Sequence, residues 1–362
     1  MTRYSLLVLL VVCAINVNGQ AKYPAPVEGD YKVTNFEFES KEVLSAMNLH
    51  YYTMGTPQKD GKGQTTNAVI VMHGTTGTGQ QFINDRFAGN LFGPGQLLDA
   101  TKYYIVMPDG IGHGKSSKPS NGMHMKFPRY TYNDMVKADY LLLTQHLGVN
   151  HLRLVMGTSM GGMHTWVWGE MYPNFMDALM PLASLPVEIA GRNRMVRKMA
   201  IDLIMMDPEW KSGEYTSQPK VGLTGAISSL IFMGSSPLQM QKSAPTREKA
   251  EENLARTKAR YLSTLDANDV IYAFDASRNY NPEPEIEKII APTFAVNSAD
   301  DEVNPPELNL MEPVIKRMRK GRYILIPTSD KTSGHGTHSN PPMWDMYLKE
   351  LLEISAKKKS NT

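Results

Sequence analysis

The sequence predicts an α/β domain: a mostly parallel, eight-stranded sheet with helices on both faces and an inserted helical cap. Three observations carry this. Short β-rich runs recur with helical stretches between them, and several are apolar at every position, as in Ala-Val-Ile-Val-Met at 68–72. A strand apolar on both sides belongs inside a covered sheet, which is the setting of parallel strands. The strand signal then vanishes between Ser184 and Pro292, as expected of helices inserted between two core strands. Finally, Gly157-Thr158-Ser159-Met160-Gly161-Gly162 follows one apolar run directly and precedes a helical one.

The elements are justified in chain order. Residues 1–19 hold Arg3 in a polar start, an apolar run over 6–15 and the small-residue site Val17-Asn18-Gly19. That is the layout of a cleavable secretory signal, too short for a membrane helix of about 20 residues. Export to the periplasm or medium is expected, with no stable membrane anchor after cleavage. Cys13, the single cysteine, lies inside this leader, so neither disulfides nor thiol chemistry is expected of the mature chain. Strands are expected at 31–39, 49–54, 68–72, 103–107, 152–156, 178–183, 293–297 and 323–326. The first two alternate more than the others and lie close together, so they suit an antiparallel edge pair. Cap helices are expected at 194–206, 223–233 and 246–265. Asp207-Pro208 stops the first and Gly234-Ser235-Ser236-Pro237 the second. The domain reading is therefore signal 1–19, core 20–184, cap 185–291 and core again 292–362. The cap methionines (Met195, Met199, Met205, Met206, Met233 and Met240) are adaptable fillers suited to a core or to the lining of an acyl pocket.

Charge narrows the function classes. Lysine plus arginine (38) nearly cancels aspartate plus glutamate (36), a balance without the field that a nucleic-acid backbone requires. The basic run Lys357 to Lys359 reads as a solvated tail. With 41% hydrophobic and 20% charged residues, the chain can bury a large core.

Chemistry centres on Ser159. A serine nucleophile needs a sharp turn that projects its Oγ, and flanking glycines allow the close backbone approach. Its hydroxyl needs a base, and the base an acid to orient it. Both follow downstream. The 293–297 strand leads into Ser298-Ala299-Asp300-Asp301-Glu302-Val303-Asn304-Pro305, and the 323–326 strand leads to Ser333-Gly334-His335-Gly336-Thr337-His338. Asp301 has the Asp-x-x-x-Pro spacing of such acid loops and is preferred to Asp300. His335 follows a glycine and is preferred to His338, which suits the site wall or a helix cap. Oxyanion donors are expected from the Met160 backbone and from His73-Gly74-Thr75-Thr76-Gly77, with Thr75 the choice and Thr76 next. The segment Gly112-His113-Gly114-Lys115-Ser116 imitates the end of a phosphate loop, but Asp109 stands where its first glycine belongs. It fits better as a loop bordering the site. His335 and His338 lack a third ligand cluster, so no metal and no cofactor is expected.

At this point the sequence resembles the homoserine O-acetyltransferase family of the α/β-hydrolase superfamily. The resemblance rests on Phe92-Gly93-Pro94-Gly95 with Leu98-Asp99, Phe127-Pro128 with Asn133-Asp134-Met135-Val136, Ser159-Met160-Gly161-Gly162-Met163, Asp207-Pro208-Glu209-Trp210 with Gly213-Glu214-Tyr215, Val221-Gly222-Leu223, and Asp301-Glu302-Val303-Asn304-Pro305-Pro306. It implies the α/β-hydrolase fold, a helical lid over a deep tunnel, an acyl-enzyme on Ser159 and homodimerisation through the cap. Three features depart from it. The oxyanion loop lacks the family's His-Ala-Leu-Thr-Gly. Gly336 replaces an aspartate that holds the amine of homoserine. The leader removes the protein from cytoplasmic acetyl-CoA. The resulting expectation is a secreted serine hydrolase acting on a small-molecule carboxylic ester or related acyl substrate. The alternative is acyl transfer from acyl-CoA to homoserine or another small hydroxyl acceptor. A mere binding module would not need the complete set Ser159, Asp301 and His335.

Overall fold

The computed structural model describes residues 22–356. The expected signal at 1–19, with Cys13, and the basic tail Lys357 to Lys359 lie outside the described residues. Eight strands form one sheet: β1 (Val27–Glu37), β2 (Val43–Met54), β3 (Ala68–Met72), β4 (Tyr104–Pro108), β5 (Leu154–Thr158), β6 (Leu179–Leu182), β7 (Thr293–Ser298) and β8 (Gly321–Ile326). Their order is β1-β2-β4-β3-β5-β6-β7-β8. β2 runs antiparallel to both β1 and β4, and the strands from β4 to β8 run parallel.

Burial explains this arrangement. In β3, Ala68, Ile70 and Met72 join the core on one side of the sheet, while Val69 and Val71 join the core on the other. Successive side chains of a strand point to opposite faces, so a fully apolar run requires two covered faces. Helices Tyr132–Leu141 and Met160–Met171 supply Val136, Trp166 and Trp168 to the first core. Helix Asp345–Ala356 brings Leu348 and Leu351 to the second. β1 has mostly exposed or half-buried residues, as an edge strand can. The antiparallel pair starts earlier than predicted on both strands, and β1 stops at Glu37, because the chain turns back tightly at 38–42, where Phe38 and Glu42 pair and Lys41 takes a positive φ of 71°.

Between β6 and β7 the described chain forms five α-helices: Gly191–Met205, Lys220–Gly234, Pro237–Ser243, Arg247–Leu262 and Ala267–Asp275. Three correspond to the predicted helices. They share a core of their own around Ile204, Trp210, Leu223, Ile227 and Phe274. The expectation for the cap methionines needs correction. Met195, Met199, Met205, Met206 and Met240 are 40–78% exposed, so they neither fill the core nor line an acyl pocket. Met233 alone among the six is buried against the cavity described below.

Candidate active site

Ser159 occupies the turn between β5 and the helix Met160–Met171, with φ 56° and ψ −112°. Holding a non-glycine residue in such a sparsely populated region costs about 1–3 kcal/mol and lasts only where the surroundings enforce it. Here the enforcement is close packing. A Cβ on Gly157 would come within 2.2 Å of Gly161 O, and one on Gly161 within 2.0 Å of Met72 O. The two glycines let the helix start directly against the strand, which lifts the serine above the sheet.

Three side chains from three strand ends meet there. The Ser159 hydroxyl lies 2.8 Å from His335 Nε2, and His335 Nδ1 lies 2.8 Å from Asp301 Oδ2. With the hydroxyl donating to Nε2 and Nδ1–H donating to Asp301, the imidazole is oriented to accept the serine proton. Asp301 follows β7, and its side chain is 1% exposed. Burial raises its pKa, but the His335 ring and hydrogen bonds from His335, Asn304 and Val303 outweigh that and hold it below the usual value. A buried carboxylate of this kind stays ionised because its partners satisfy it.

Asp300 and His338 are turned elsewhere. Asp300 accepts from Gly334 N and from the hydroxyls of Thr332 and Ser236. His338 sits edge-on to His335 at 5.3 Å, with Nδ1 against the Ser339 hydroxyl. Burial, then the neighbouring His335, pushes its pKa down to about 3. It therefore remains neutral in the wall of the site and caps no helix.

The backbone N–H groups expected as oxyanion donors belong to Met160, next to Ser159 in the chain, and to Thr75, which shares the cavity wall with Ser159. Met160 is the first residue of its helix, so its N–H has no partner within that helix and sits at the positive end of the dipole. Gly74 O accepts from His73 Nδ1 at 2.8 Å and from Gly77 N at 2.9 Å. In a trans peptide the N–H points opposite to the C=O, so the Thr75 N–H is aimed away from these donors. His73 Nε2 accepts Gly110 N at 2.9 Å, which fixes the neutral tautomer. Burial keeps its pKa well below the ordinary imidazole value.

His113 carries the part of the Gly112 to Ser116 segment that bears on the site. Its Nε2 lies 2.7 Å from Thr75 O, and its Nδ1 lies 2.9 Å from Ile111 O. Lys115 points instead to Glu28 at the surface, and Ser116 Oγ donates to Asp109 O. The segment is a loop that braces the Thr75 peptide. Only its position after β4, and not its lysine, could have signalled that.

These groups open onto a cavity of about 590 Å³ between core and cap, whose wall includes Thr75, Thr76, Ser159, His335, Arg197 and Phe274. Sequence reading missed Arg197 because arginines on a cap helix usually face solvent. This one is 4% exposed. It donates to Asn193 Oδ1 and Ser277 Oγ, with its guanidinium 5.6 Å from the centre of the Phe274 ring. Gly336 also lines the cavity. Among the described residues no cluster of three or more His, Cys, Asp or Glu could hold a metal.

Residues 67–313 match the alpha/beta hydrolase fold family. The chain belongs to that family. It is 30% identical over 307 residues to a protein of Methanothermobacter thermautotrophicus named "Probable acyltransferase", covering 84% of this chain and 91% of that one. It is 29% identical over 335 residues to the homoserine O-acetyltransferase of Pelobacter propionicus, covering 82% and 88%. Among solved structures, homoserine O-acetyltransferase from Bacillus anthracis superposes with TM-score 0.79 at 19% identity, over 91% of this chain and 98% of that one. An acetylester hydrolase from Corynebacterium glutamicum gives TM-score 0.79 at 22% identity, over 90% and 96%. The fold is therefore that of an α/β-hydrolase resembling homoserine O-acetyltransferase, and esterases and acyltransferases are both similar to it.

Proposed function

We propose that this α/β-hydrolase is a serine esterase that cleaves a small carboxylic ester through an acyl-Ser159 intermediate. The observation that carries the reading is the continuous hydrogen-bonded line from Ser159 Oγ through His335 to Asp301 at the wall of an open cavity. Ser159 Oγ attacks the acyl carbon while His335 Nε2 takes its proton. The oxyanion is received by the N–H groups of Thr75 and Met160, each worth about 10² to 10³ in rate. As the intermediate collapses, the imidazolium returns the proton to the departing alkoxide and the alcohol leaves. Water then attacks the acyl-serine with His335 again as base, releasing the acid and restoring the serine. Asp301 holds the tautomer and stabilises the imidazolium throughout.

Water rather than an amino-acid acceptor is favoured by Gly336, which offers no side chain to an acceptor's ammonium group. The second reading, acyl transfer to a small hydroxyl acceptor, draws on the acyltransferase names of the relatives. In either case Arg197 gives the cavity a fixed cation, suited to a substrate that carries a carboxylate. No metal and no cofactor enters this chemistry.

We further propose that the protein is exported, on the composition of residues 1–19. Pairing of two copies through the cap is also proposed, since Val221 and Phe232 on one cap helix are 82% and 81% exposed. Cell fractionation with N-terminal sequencing tests the first, and analytical ultracentrifugation of the mature chain the second. Retention of the leader, or a monomer at all concentrations, would reject them.

The test of function is product analysis of the mature protein in two reactions, one with a short-chain ester and one with acetyl-CoA and homoserine. Ester hydrolysis insensitive to homoserine is expected, with little O-acetylhomoserine formed, and Ser159→Ala should abolish turnover without unfolding the chain. Efficient O-acetylhomoserine formation with negligible hydrolysis would favour transfer instead.

A further inference from the structure

His335 stands between Gly334 and Gly336. A residue flanked by glycines has little local restraint on its backbone, because glycine loses more conformational freedom on ordering than any other residue. Yet the imidazole must bridge Ser159 and Asp301 with both contacts at 2.8 Å. Something outside the histidine must hold the loop.

The neighbouring carboxylate does so. Asp300 Oδ2 accepts Gly334 N at 2.9 Å, the Thr332 hydroxyl at 3.0 Å and the Ser236 hydroxyl at 3.3 Å. Its Oδ1 accepts the Ser298 hydroxyl. Ser298 in turn receives the Thr337 hydroxyl at 3.3 Å, and Thr337 Oγ1 accepts Ser333 N at 2.8 Å. The network therefore grips the chain immediately before His335 and two residues after it. Gly334 has φ +58°, and a Cβ there would lie 3.0 Å from Asp300 O and 3.4 Å from Ser235 O. The histidine loop, the acid loop and the bend between cap helices Lys220–Gly234 and Pro237–Ser243 thus meet at one carboxylate. Gln239 of the cap adds a second tie, donating to the carbonyl oxygens of Asp330 and Thr332.

We propose that Asp300 is a positioning residue for His335: through Gly334, Thr332 and the cap residue Ser236, its carboxylate fixes the imidazole in line between Ser159 and Asp301. This rests on the reading of Ser159 and His335 as nucleophile and base. The carboxylate acts here as an acceptor of particular geometry more than as a charge. Asparagine with its carbonyl oxygen in the place of Oδ2 keeps the three bonds to Gly334, Thr332 and Ser236, and its amide can donate to Ser298 Oγ, which accepts as readily as it donates. Alanine keeps none.

The experiment compares the Asp300→Ala and Asp300→Asn proteins with wild type by two readouts. One is kcat and KM for p-nitrophenyl acetate. The other, independent of turnover, is the downfield proton resonance of His335 Nδ1–H, assigned by its loss in His335→Ala. Displacing a catalytic group by about 1 Å costs about 10²-fold, so Asp300→Ala is expected to lower kcat by about that factor, leave KM within about threefold and abolish the resonance. Asp300→Asn should recover most of kcat and the resonance. A wild-type resonance and kcat in Asp300→Ala, or equal damage from Asn and Ala, overturns the proposal. If Asp300→Ala does not fold, Thr332→Val removes one of the anchoring bonds, and an unchanged resonance in that variant is equally fatal. Failure of the esterase reading would show separately, as activity retained in Ser159→Ala, while the resonance still reports on Asp300.

Discussion

Asp300 and Asp301 are adjacent carboxylates in one loop, and at the scale of single residues their difference is one of direction. Both lie in the tight turn that leaves β7 at Ser298, where Asp301 N donates to Ser298 O. Here one carboxylate meets the imidazole and the other the backbone behind it. The Asp-x-x-x-Pro spacing favoured Asp301, but a sequence carries no record of where each side chain turns, so Asp300 could be read only as a competitor. Asp301→Asn should lower kcat by up to about 10⁴ by favouring the wrong histidine tautomer, with KM little changed. Steady-state kinetics on a short ester will show it, and a loss below tenfold would remove Asp301 from its role. Gly336 permits a second test. A Cβ there would have Ser333 Cβ as its nearest neighbour, at an unstrained 3.8 Å. Gly336→Asp should therefore fold normally and place an acid in the cavity wall beside the base. If the missing ammonium anchor is what excludes an amino-acid acceptor, this variant should divert acyl groups to homoserine in a competition assay. Products unchanged from wild type would reject that explanation.

Elements differ in how plainly the sequence announces them. Strands β3 to β7 were legible because a run buried on both faces has nowhere else to go, and the turn holding Ser159 was legible because its glycines have a steric purpose. Helices Pro237–Ser243 and Ala267–Asp275 were not. Pro237 read as the end of one helix, yet proline is equally suited to the first turn of the next. Asp266 caps the other by accepting from Asn268 N and Asp269 N, and both were lost beside the long polar helix that precedes them. The arginine in the cavity and the histidine behind the oxyanion loop were illegible for another reason, since each is defined by what a distant segment brings to it. The strand-to-helix turn gives the prediction at this scale. Gly161→Ala would drive a Cβ to 2.0 Å from Met72 O, a backbone atom that cannot yield as a flexible side chain can. We expect a loss of about 3 kcal/mol in stability and a larger loss of activity than of folded protein, because the turn that aims Ser159 must open first. Denaturant unfolding together with active-site titration measures both, and unaltered stability would show that the turn has slack.

Across the whole molecule, buried ionisable groups set how stability responds to pH. His73, His113, His164 and His338 are buried, and burial pushes each below the ordinary imidazole value, His164 and His338 to about 3. A base whose folded pKa is depressed takes up its proton first in the unfolded chain. Each therefore weakens folding as pH drops below about 6.5, by about 1.4 kcal/mol per pH unit until its own folded pKa is reached. Buried acids act from the other side. Burial, then the nearby Glu285, raises Glu170 to about 8. Burial also raises Asp269 to about 6, Asp134 above its ordinary value and Asp139 well above it. For an acid with a raised folded pKa, stability is fully present below the unfolded value and is lost as pH rises through the folded one. Below pH about 6.5 the four histidines and the four acids pull in opposite directions, and above it Glu170 continues to titrate. Asp301 alters this little, because its depressed pKa confines its contribution to a lower window. Stability should therefore decline as pH rises from about 6.5 through the value near 8 at which Glu170 ionises. Glu170 tests this decline, since one of its carboxylate oxygens is buried without a hydrogen-bond partner and the attraction of Lys288 does not outweigh its burial. Glu170→Gln should raise the melting temperature at pH 8 and leave it nearly unchanged at pH 4.5, as measured by calorimetry across that range. A melting temperature that rises steadily to pH 8 in the wild type, or a Glu170→Gln gain that is the same at both pH values, would mean that these groups find water or partners in the folded protein and do not govern its pH response.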